Sequence, residues 1–230
     1  MRERPALVRA GAEGRGRRLP AARRGRRAVH ARGRARRRPR AHALRLRARP
    51  QDQHLHGAVA RQRVTGVLLV GGASRRFGSP KALADFEGET LAERAWRVLG
   101  EACDEQIAVG KTADALPLPF RVLDDGSDVR APIAGIVAGL RAASHDVCVV
   151  LPVDCPLISA ESLLRLAANA PAAPPSGPLP SAYRRSALPA LERKLERGDY
   201  SLRDLETSIV EIDSDELVNV NTADELAALE

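Results

Sequence analysis

A glycine-rich loop with fixed positive charge follows the first strongly hydrophobic segment of the chain. Residues 69–81 have the sequence LVGGASRRFGSPK, in which Gly71 and Gly72 precede Arg76 and Lys81. Glycines let a backbone approach a nucleotide closely, and exposed N–H groups bind phosphate oxygens. The cations would neutralise a triphosphate. A proline precedes Lys81 and an alanine follows it, which excludes a P-loop. The pattern indicates phosphate chemistry, with a tight turn and solvated arginines as the alternative.

Carboxylate and amide side chains follow other hydrophobic segments. Asp154 comes two residues after the segment DVCVVLP, and Asp125 follows the segment FRVLD. A carboxylate in such a position is a hard oxygen ligand for Mg²⁺, although it could also only cap a turn or be solvated. Asn221, in the C-terminal segment VNVNT, could bind a polar ligand or tie a strand end to a helix.

The elements that must position these residues alternate between strands and helices. Short aliphatic runs predict strands at 64–70, 106–109, 120–123, 146–152 and 209–212. Amphipathic spacing predicts helices at 90–102, 133–143, 159–168, 186–197, 201–206 and 223–229, with Ser159 and Thr222 as N-caps. The proline-rich segment 170–180 is predicted to be a loop. Strand–helix alternation predicts an α/β fold with a mostly parallel sheet, in which ligands bind beyond the carboxyl ends of the strands.

The charge of the chain is divided between two unlike parts. Residues 1–63 hold 21 basic and 3 acidic side chains, whereas the remainder holds 16 basic and 26 acidic ones. The first part contains no Ile, Phe, Tyr or Trp, so we expect a disordered basic N-terminal segment at 1–63 and a folded domain at 64–230. The basic segment could be a nucleic-acid-binding arm, a transit peptide or a translated upstream extension without a role. The third interpretation is favoured, so these residues should not decide the function.

The three cysteines show neither a metal-binding nor a disulfide spacing, which is typical of a reducing compartment. No stretch approaches the roughly 20 apolar residues that cross a bilayer. We therefore expect a cytoplasmic protein that does not act at a membrane.

Four motifs, in order along the chain, resemble those of the molybdenum cofactor guanylyltransferase family. The loop resembles Leu-Ala-Gly-Gly-x-Ser-x-Arg-Met-Gly-x-x-Lys, with Val70 in place of alanine and Phe77 in place of methionine. The segment containing Asp154 is similar to the family's metal-binding Asp-x-Pro motif. Residues 131–136 (APIAGI) resemble Gly-Pro-Leu-Ala-Gly-Ile, and residues 219–226 (NVNTADEL) resemble the closing Asn-x-Asn-Thr motif.

The resemblance implies a fold, a reaction and a set of site residues. The fold would be the Rossmann-like, three-layer type of the nucleotide-diphospho-sugar transferases. GMP would pass from GTP to molybdopterin, giving molybdopterin guanine dinucleotide and pyrophosphate. Lys81, Arg76 and Asp154 would be catalytic, and Asp154 would bind Mg²⁺. The nucleotide would contact Leu69, Val70, Gly71, Gly72, Lys81, Asp125, Asp154 and Asn221.

Two features favour guanine over cytosine within this resemblance. The second glycine of the loop, Gly72, goes with the guanylyl branch, whereas the cytidylyl branch typically has Ala-Gly. The asparagines Asn219 and Asn221 stand where the cytidylyl branch usually has Asp-x-Asp. A molybdoenzyme or a chaperone would be the delivery partner, and nucleic acid is not expected as a partner.

The sequence departs from the family pattern at three places. Gly110 stands where the family often has asparagine, Ala131 replaces glycine, and the proline-rich segment 170–183 is contracted near the expected acceptor site. The alternatives are a cytidylyltransferase for the same pterin, a sugar-phosphate nucleotidyltransferase and a nucleotide-binding partner without turnover. A nucleic-acid binder that works through the basic arm is an alternative of another class.

Overall fold

A computed structural model describes residues 62–71 and 77–229 of the chain. The strands, in chain order, are β1 (Val64–Leu69), β2 (Asp85–Phe86), β3 (Glu89–Thr90), β4 (Glu105–Gly110), β5 (Val122–Asp124), β6 (Val147–Pro152), β7 (Ala172–Ala173), β8 (Ser181–Arg184) and β9 (Ser208–Ile209). The α-helices are α1 (Leu91–Ala102), α2 (Pro132–Ala142), α3 (Ala160–Ala168), α4 (Leu188–Glu196) and α5 (Ala223–Ala227). Of the segment 1–63, for which disorder is predicted, only residues 62 and 63 belong to the described part of the chain.

Seven strands form one mixed sheet in the order β5-β4-β1-β6-β8-β7-β9. The strands β5, β4, β1 and β6 are parallel, and β8 joins β6 antiparallel. The β2 and β3 strands form a separate antiparallel hairpin, whose two-residue turn places Glu87 and Gly88 at positive φ. The predicted mostly parallel sheet is confirmed, and its four parallel strands end at one edge.

Helices cover both faces of the sheet. Alternate residues of β1 point to opposite faces, so Leu68 packs in the hydrophobic cluster with α1 and α3, whereas Val67 packs with α2 and α4. Both side chains are fully buried. The two clusters on either side of one sheet make the three-layer α/β/α arrangement that the resemblance implies.

Side-chain caps fix where three of the helices begin. Thr90 and Glu93 form a capping box at the start of α1, in which the Thr90 hydroxyl accepts from the Glu93 N–H. The predicted N-caps Ser159 and Thr222 are confirmed, since each hydroxyl accepts a hydrogen bond from a backbone N–H of the first turn.

Small residues let α2 lie directly on the sheet. A β-carbon at Gly135 would come within 2.8 Å of Leu69 Cδ2, and one at Gly139 would overlap the side chain of Val67. Both glycines lie on the face of α2 that touches β1. This close approach places the first turn of α2 beside the end of β1.

The structure corrects the predicted elements in the C-terminal third. Residues 170–180, predicted to be a loop, contain β7, and the unpredicted β8 follows it. Residues 201–206 form turns rather than a helix, and β9 covers only the start of the predicted strand 209–212. These segments are too short for a periodic pattern, so their conformation depends on pairing with neighbouring strands and on side-chain contacts to α4.

Candidate active site

A cavity of about 530 Å³ opens at the carboxyl edge of the parallel strands. Its wall contains Leu69, Val70 and Gly71 at the end of β1, the pair Gly110 and Lys111 at the end of β4, Asp125 beyond β5, and Asp154 beyond β6. Such a volume lies within the roughly 300–1,000 Å³ that small-molecule sites occupy. The edge is the one where ligands bind in sheets of this type.

Three residues selected from the sequence meet in the middle of this edge. The ammonium group of Lys81 lies 3.3 Å from Oδ2 of Asp154 and 3.3 Å from Oδ1 of Asn221. These residues are 73 and 140 positions from Lys81 along the chain. The backbone carbonyl of Asp154 also accepts a hydrogen bond of 2.9 Å from Val220 N–H, which ties the C-terminal segment to the end of β6.

The lysine and the aspartate of this group remain accessible to a ligand. The side chains of Lys81 and Asp154 are 14 % and 28 % exposed, and both line the cavity. Lys81 stands at the start of a single 3₁₀ turn, directly after Pro80. A cation and a carboxylate held side by side can neutralise phosphate oxygens and bind a divalent cation, respectively.

Asp125 lies at the β4–β5 end of the cavity and is bound by a lysine that the sequence analysis did not select. Lys111 Nζ is 2.6 Å from Oδ1 of Asp125, and the Asp125 side chain is only 7 % exposed. The N–H of Ser127 donates to the same oxygen at 3.0 Å. Lys111 could have been found by its position, because it immediately follows β4 at the ligand-binding edge.

Leu69, Val70 and Gly71 reach the cavity chiefly through their backbone. The side chains of Leu69 and Val70 are buried in the two hydrophobic clusters. Gly71 packs against Gly110, since a β-carbon on Gly71 would lie 3.4 Å from Gly110 Cα. Gly72 and Arg76 lie outside the described residues.

The C-terminal motif contains a second asparagine, Asn219, which lies in the wall of the cavity. Its Oδ1 is 2.9 Å from Sγ of Cys155. Burial, followed by the neighbouring Asp154 carboxylate, raises the pKa of the Cys155 thiol well above its usual range. The thiol therefore stays protonated and orients the Asn219 amide.

The cavity continues past β6 into the segment that the sequence analysis left without assigned residues. Its far wall consists of residues 176–179, Arg203 and Leu217. Ala131, which replaces the family's glycine, is the N-cap of α2 and also lines the cavity together with Pro132. The first turn of α2 adds the positive end of a helix dipole to this wall.

The residues present fit a magnesium ion that is completed by substrate. No group of three His, Cys, Asp or Glu side chains that could hold a metal occurs within 62–71 and 77–229. Mg²⁺ is typically held by one or two carboxylates together with substrate phosphates and water, so the single carboxylate of Asp154 suffices. Residues 62–71 and 77–229 contain no helix long and apolar enough to span a membrane.

A three-layer α/β fold with a polar cavity beyond the ends of its parallel strands defines the class of nucleotide-binding α/β enzymes. The model of the MobA-like NTP transferase domain family matches residues 66–212. The chain belongs to this family and is a nucleotidyltransferase. The implied fold is confirmed by a solved structure, that of molybdopterin-guanine dinucleotide biosynthesis protein A from Archaeoglobus fulgidus. It is 26 % identical, with a TM-score of 0.61 over 72 % of this chain and 96 % of the other.

Curated relatives agree with the resemblance found in the motifs. The molybdenum cofactor guanylyltransferase of Pseudomonas putida is 35 % identical over 150 residues, which cover 60 % of this chain and 78 % of the relative. A protein of Chloroflexus aggregans named "Probable molybdenum cofactor guanylyltransferase" is 31 % identical over 190 residues, covering 71 % of this chain and 91 % of the relative.

Proposed function

We propose that this nucleotidyltransferase moves the GMP group of GTP onto the terminal phosphate of molybdopterin. The products are molybdopterin guanine dinucleotide and pyrophosphate. The observation that carries the proposal is the meeting of Lys81, Asp154 and Asn221 at the carboxyl edge of the sheet, where Lys81 and Asp154 line the cavity. The names of the curated relatives support GTP and molybdopterin as the substrates.

The reaction requires positioning and charge neutralisation rather than a protein nucleophile. An oxygen of the acceptor phosphate forms a bond to the α-phosphorus of GTP. The bond between the α-phosphorus and its bridging oxygen to the β-phosphate breaks, and pyrophosphate leaves with the electron pair. Lys81, which lies at the carboxyl edge beside Asp154, would stabilise the negative charge that accumulates on the leaving group.

Asp154 would hold the magnesium ion, with Asn221 and Asn219 at its side. When bound, the ion supplies charge neutralisation and orientation of the phosphates. The ion pair with Lys81 keeps the Asp154 carboxylate in place. Asp125 and Lys111, at the β4–β5 end, would then face the nucleoside half of GTP, in line with the role that the resemblance implies for Asp125.

The proposal includes a catalytic unit formed by residues 64–230 and a cytoplasmic location. The family match lies wholly within this unit. The cysteines at 103, 148 and 155 are unpaired, which supports a reducing compartment. A molybdoenzyme or a chaperone would receive the product.

Pyrophosphate release tests the proposal. The full chain and the fragment 64–230 are each incubated with Mg²⁺, molybdopterin and either GTP, CTP or ATP. Release with GTP alone, by both proteins, is expected. Release with CTP would instead favour a cytidylyltransferase, and release with GTP when a sugar phosphate replaces molybdopterin would favour a sugar-phosphate nucleotidyltransferase.

A matched pair of variants tests the role of Asp154. Asp154→Asn keeps the size of the side chain but removes the charge, so turnover should fall to a small fraction of that of the parent. Glu161→Gln makes the same change on the exposed first turn of α3 and should retain activity. Near-normal turnover of Asp154→Asn would contradict the assignment of the metal ligand.

A further inference from the structure

The cavity contains one cation that has no acidic partner among the described residues. Its wall holds four basic side chains, those of Lys81, Lys111, Arg130 and Arg203. The first three form ion pairs with carboxylates, at N–O distances of 3.3, 2.6 and 2.8 Å, respectively. Within 62–71 and 77–229, no carboxylate pairs with the Arg203 guanidinium. An unpaired guanidinium in a cavity wall is available to a ligand anion.

The backbone that carries Arg203 is fixed on both sides. Lys194, buried on α4, forms ion pairs with the carboxylates of Asp199 and Asp204, the second at 2.8 Å. Asp204 directly follows Arg203, and Leu202, which directly precedes it, is buried against the α2–α4 side of the sheet. A binding group on an anchored backbone loses less entropy when it meets its ligand.

Arg203 lies on the opposite side of Asp154 from the nucleoside end. Along the sheet edge the cavity passes the ends of β5, β4, β1 and β6 in turn, and then reaches residues 176–179 and Arg203. Asp125 and Lys111 lie at the β5–β4 end of the cavity, and Asp154 follows β6. If the nucleoside of GTP occupies the β5–β4 end, its α-phosphate reaches the region of Asp154. The acceptor must then enter from the end that contains Arg203.

We propose that Arg203 binds the phosphate of the acceptor and orients it toward the α-phosphorus of the nucleotide. This inference rests on the proposed function. A phosphate monoester offers two or three oxygens in a geometry that a guanidinium matches with parallel hydrogen bonds. Two of the oxygens can bind Arg203 while a third attacks. Arg203 is thereby a residue for the acceptor and not for GTP.

Steady-state kinetics of the full chain separate the two substrates. Arg203→Ala should raise the KM for molybdopterin about 10- to 100-fold, the factor for losing a hydrogen-bonded charged partner, and leave the KM for GTP within about twofold. Arg203→Lys should recover part of the loss. Arg197→Ala is the matched control, because Arg197 is exposed and lies outside the cavity wall. An unchanged KM for molybdopterin in Arg203→Ala would overturn the inference.

A binding measurement keeps the inference testable if the proposed function fails. The full chain is saturated with the α,β-methylene analogue of GTP and titrated with phenyl phosphate, a minimal phosphate monoester, while the arginine Nε–H resonances are followed by NMR. The Arg203 resonance is identified by its absence from the spectrum of Arg203→Lys, and it should shift during the titration. The Arg197 resonance, identified in the same way from Arg197→Lys, should not shift. A stationary Arg203 resonance would overturn the inference. Absence of GMP transfer by the parent enzyme, together with a shifting resonance, would contradict only the proposed function.

Discussion

The side chain of Val70 fills the space that a β-carbon on Gly110 would need. Such a carbon would lie 2.8 Å from Cγ2 of Val70 and 3.3 Å from Cγ1 of Val122. Val70 and Gly110 are both departures from the family pattern, which has alanine at the first position and often asparagine at the second. The two departures are therefore related by packing. The larger residue after β1 leaves room only for glycine at the end of β4.

This relationship predicts that Gly110→Ala destabilises the protein unless residue 70 is made smaller. Overpacking of this kind typically costs about 1–3 kcal/mol in the free energy of unfolding. Combining Gly110→Ala with Val70→Ala should cost less than the sum of the two single changes, as measured by urea unfolding in a double-mutant cycle. Gly177→Ala is the control, since a β-carbon there meets no atom within 4 Å. Strictly additive effects would contradict the relationship.

A second prediction concerns the charge of Lys81. Because its ammonium group is placed between Asp154 and Asn221 at the centre of the edge, Lys81→Ala should lower turnover by a factor of roughly 10²–10³. The measurement is pyrophosphate release at saturating GTP and molybdopterin. Arg193→Ala, on the exposed side of α4, should leave turnover unchanged. If Lys81→Ala retains more than about a tenth of the turnover, Lys81 has no part in the chemical step.

Secondary structure was easiest to predict from the sequence for the longer strands that are buried on both faces of the sheet. The strands β1 and β6 were identifiable because each is a run of aliphatic residues buried on both faces of the sheet. The alternation of strands and helices was enough to predict that the loops containing Lys81 and Asp154 would lie at the carboxyl edge of the sheet. Four-residue β8 is too short to carry such a pattern, and Ser181 and Ala182 are buried through tertiary contacts that include the antiparallel pairing with β6.

The paired charges of the site depend on tertiary contacts that no local pattern encodes. Nothing in the sequence near Lys111 indicates that it binds Asp125, which is 14 residues away. The predicted helix at 201–206 was wrong because Lys194 instead holds the segment through Asp199 and Asp204. These contacts place Arg203 in the cavity wall, and only the fold shows them.

A third prediction concerns acid stability and the carboxylate of Asp124. Hydrogen bonds from the side chain and the backbone N–H of Thr112, and from the N–H of Gly126, lower the pKa of Asp124 to about 2. A folded-state pKa below the unfolded value of 3.8 stabilises the fold above pH 3.8, and this stabilisation is lost as the pH falls toward 2.

Asp124→Asn should therefore be less stable than the parent at pH 7. The difference between the two proteins should shrink as the pH falls from about 4 to about 2, because the parent loses its charged hydrogen bonds over this interval. Chemical unfolding at a series of pH values measures the difference. Asp128→Asn, an exposed carboxylate of the same loop, should show no such convergence. A difference that is constant with pH would mean that the charge of Asp124 does not contribute.

A fourth prediction concerns the three cysteines. Burial raises the pKa of the Cys103 and Cys148 thiols to about 12, and it raises that of Cys155 as well. Since the thiolate is the reactive form, the native protein should react slowly with Ellman's reagent at pH 8, and the unfolded protein should release three equivalents rapidly. One fast equivalent in the native protein would show that a thiol is exposed in solution.

The last prediction concerns the anchoring of Arg203 by Lys194. The hydrogen bonds of Lys194 with Asp199 and then Asp204 raise its pKa, so the ammonium group stays charged throughout the physiological range. Lys194→Gln should free the segment 199–205, because a neutral amide cannot replace two ion pairs. Amide hydrogen exchange in this segment should become at least tenfold faster, while exchange in β1 and β6 stays unchanged.

The KM for molybdopterin should rise in Lys194→Gln and that for GTP should not, since the nucleoside end is formed by other elements. Arg193→Gln, at the preceding position of α4, should change neither quantity. Faster exchange without a change in the KM for molybdopterin would show that Lys194 stabilises the segment but does not position Arg203.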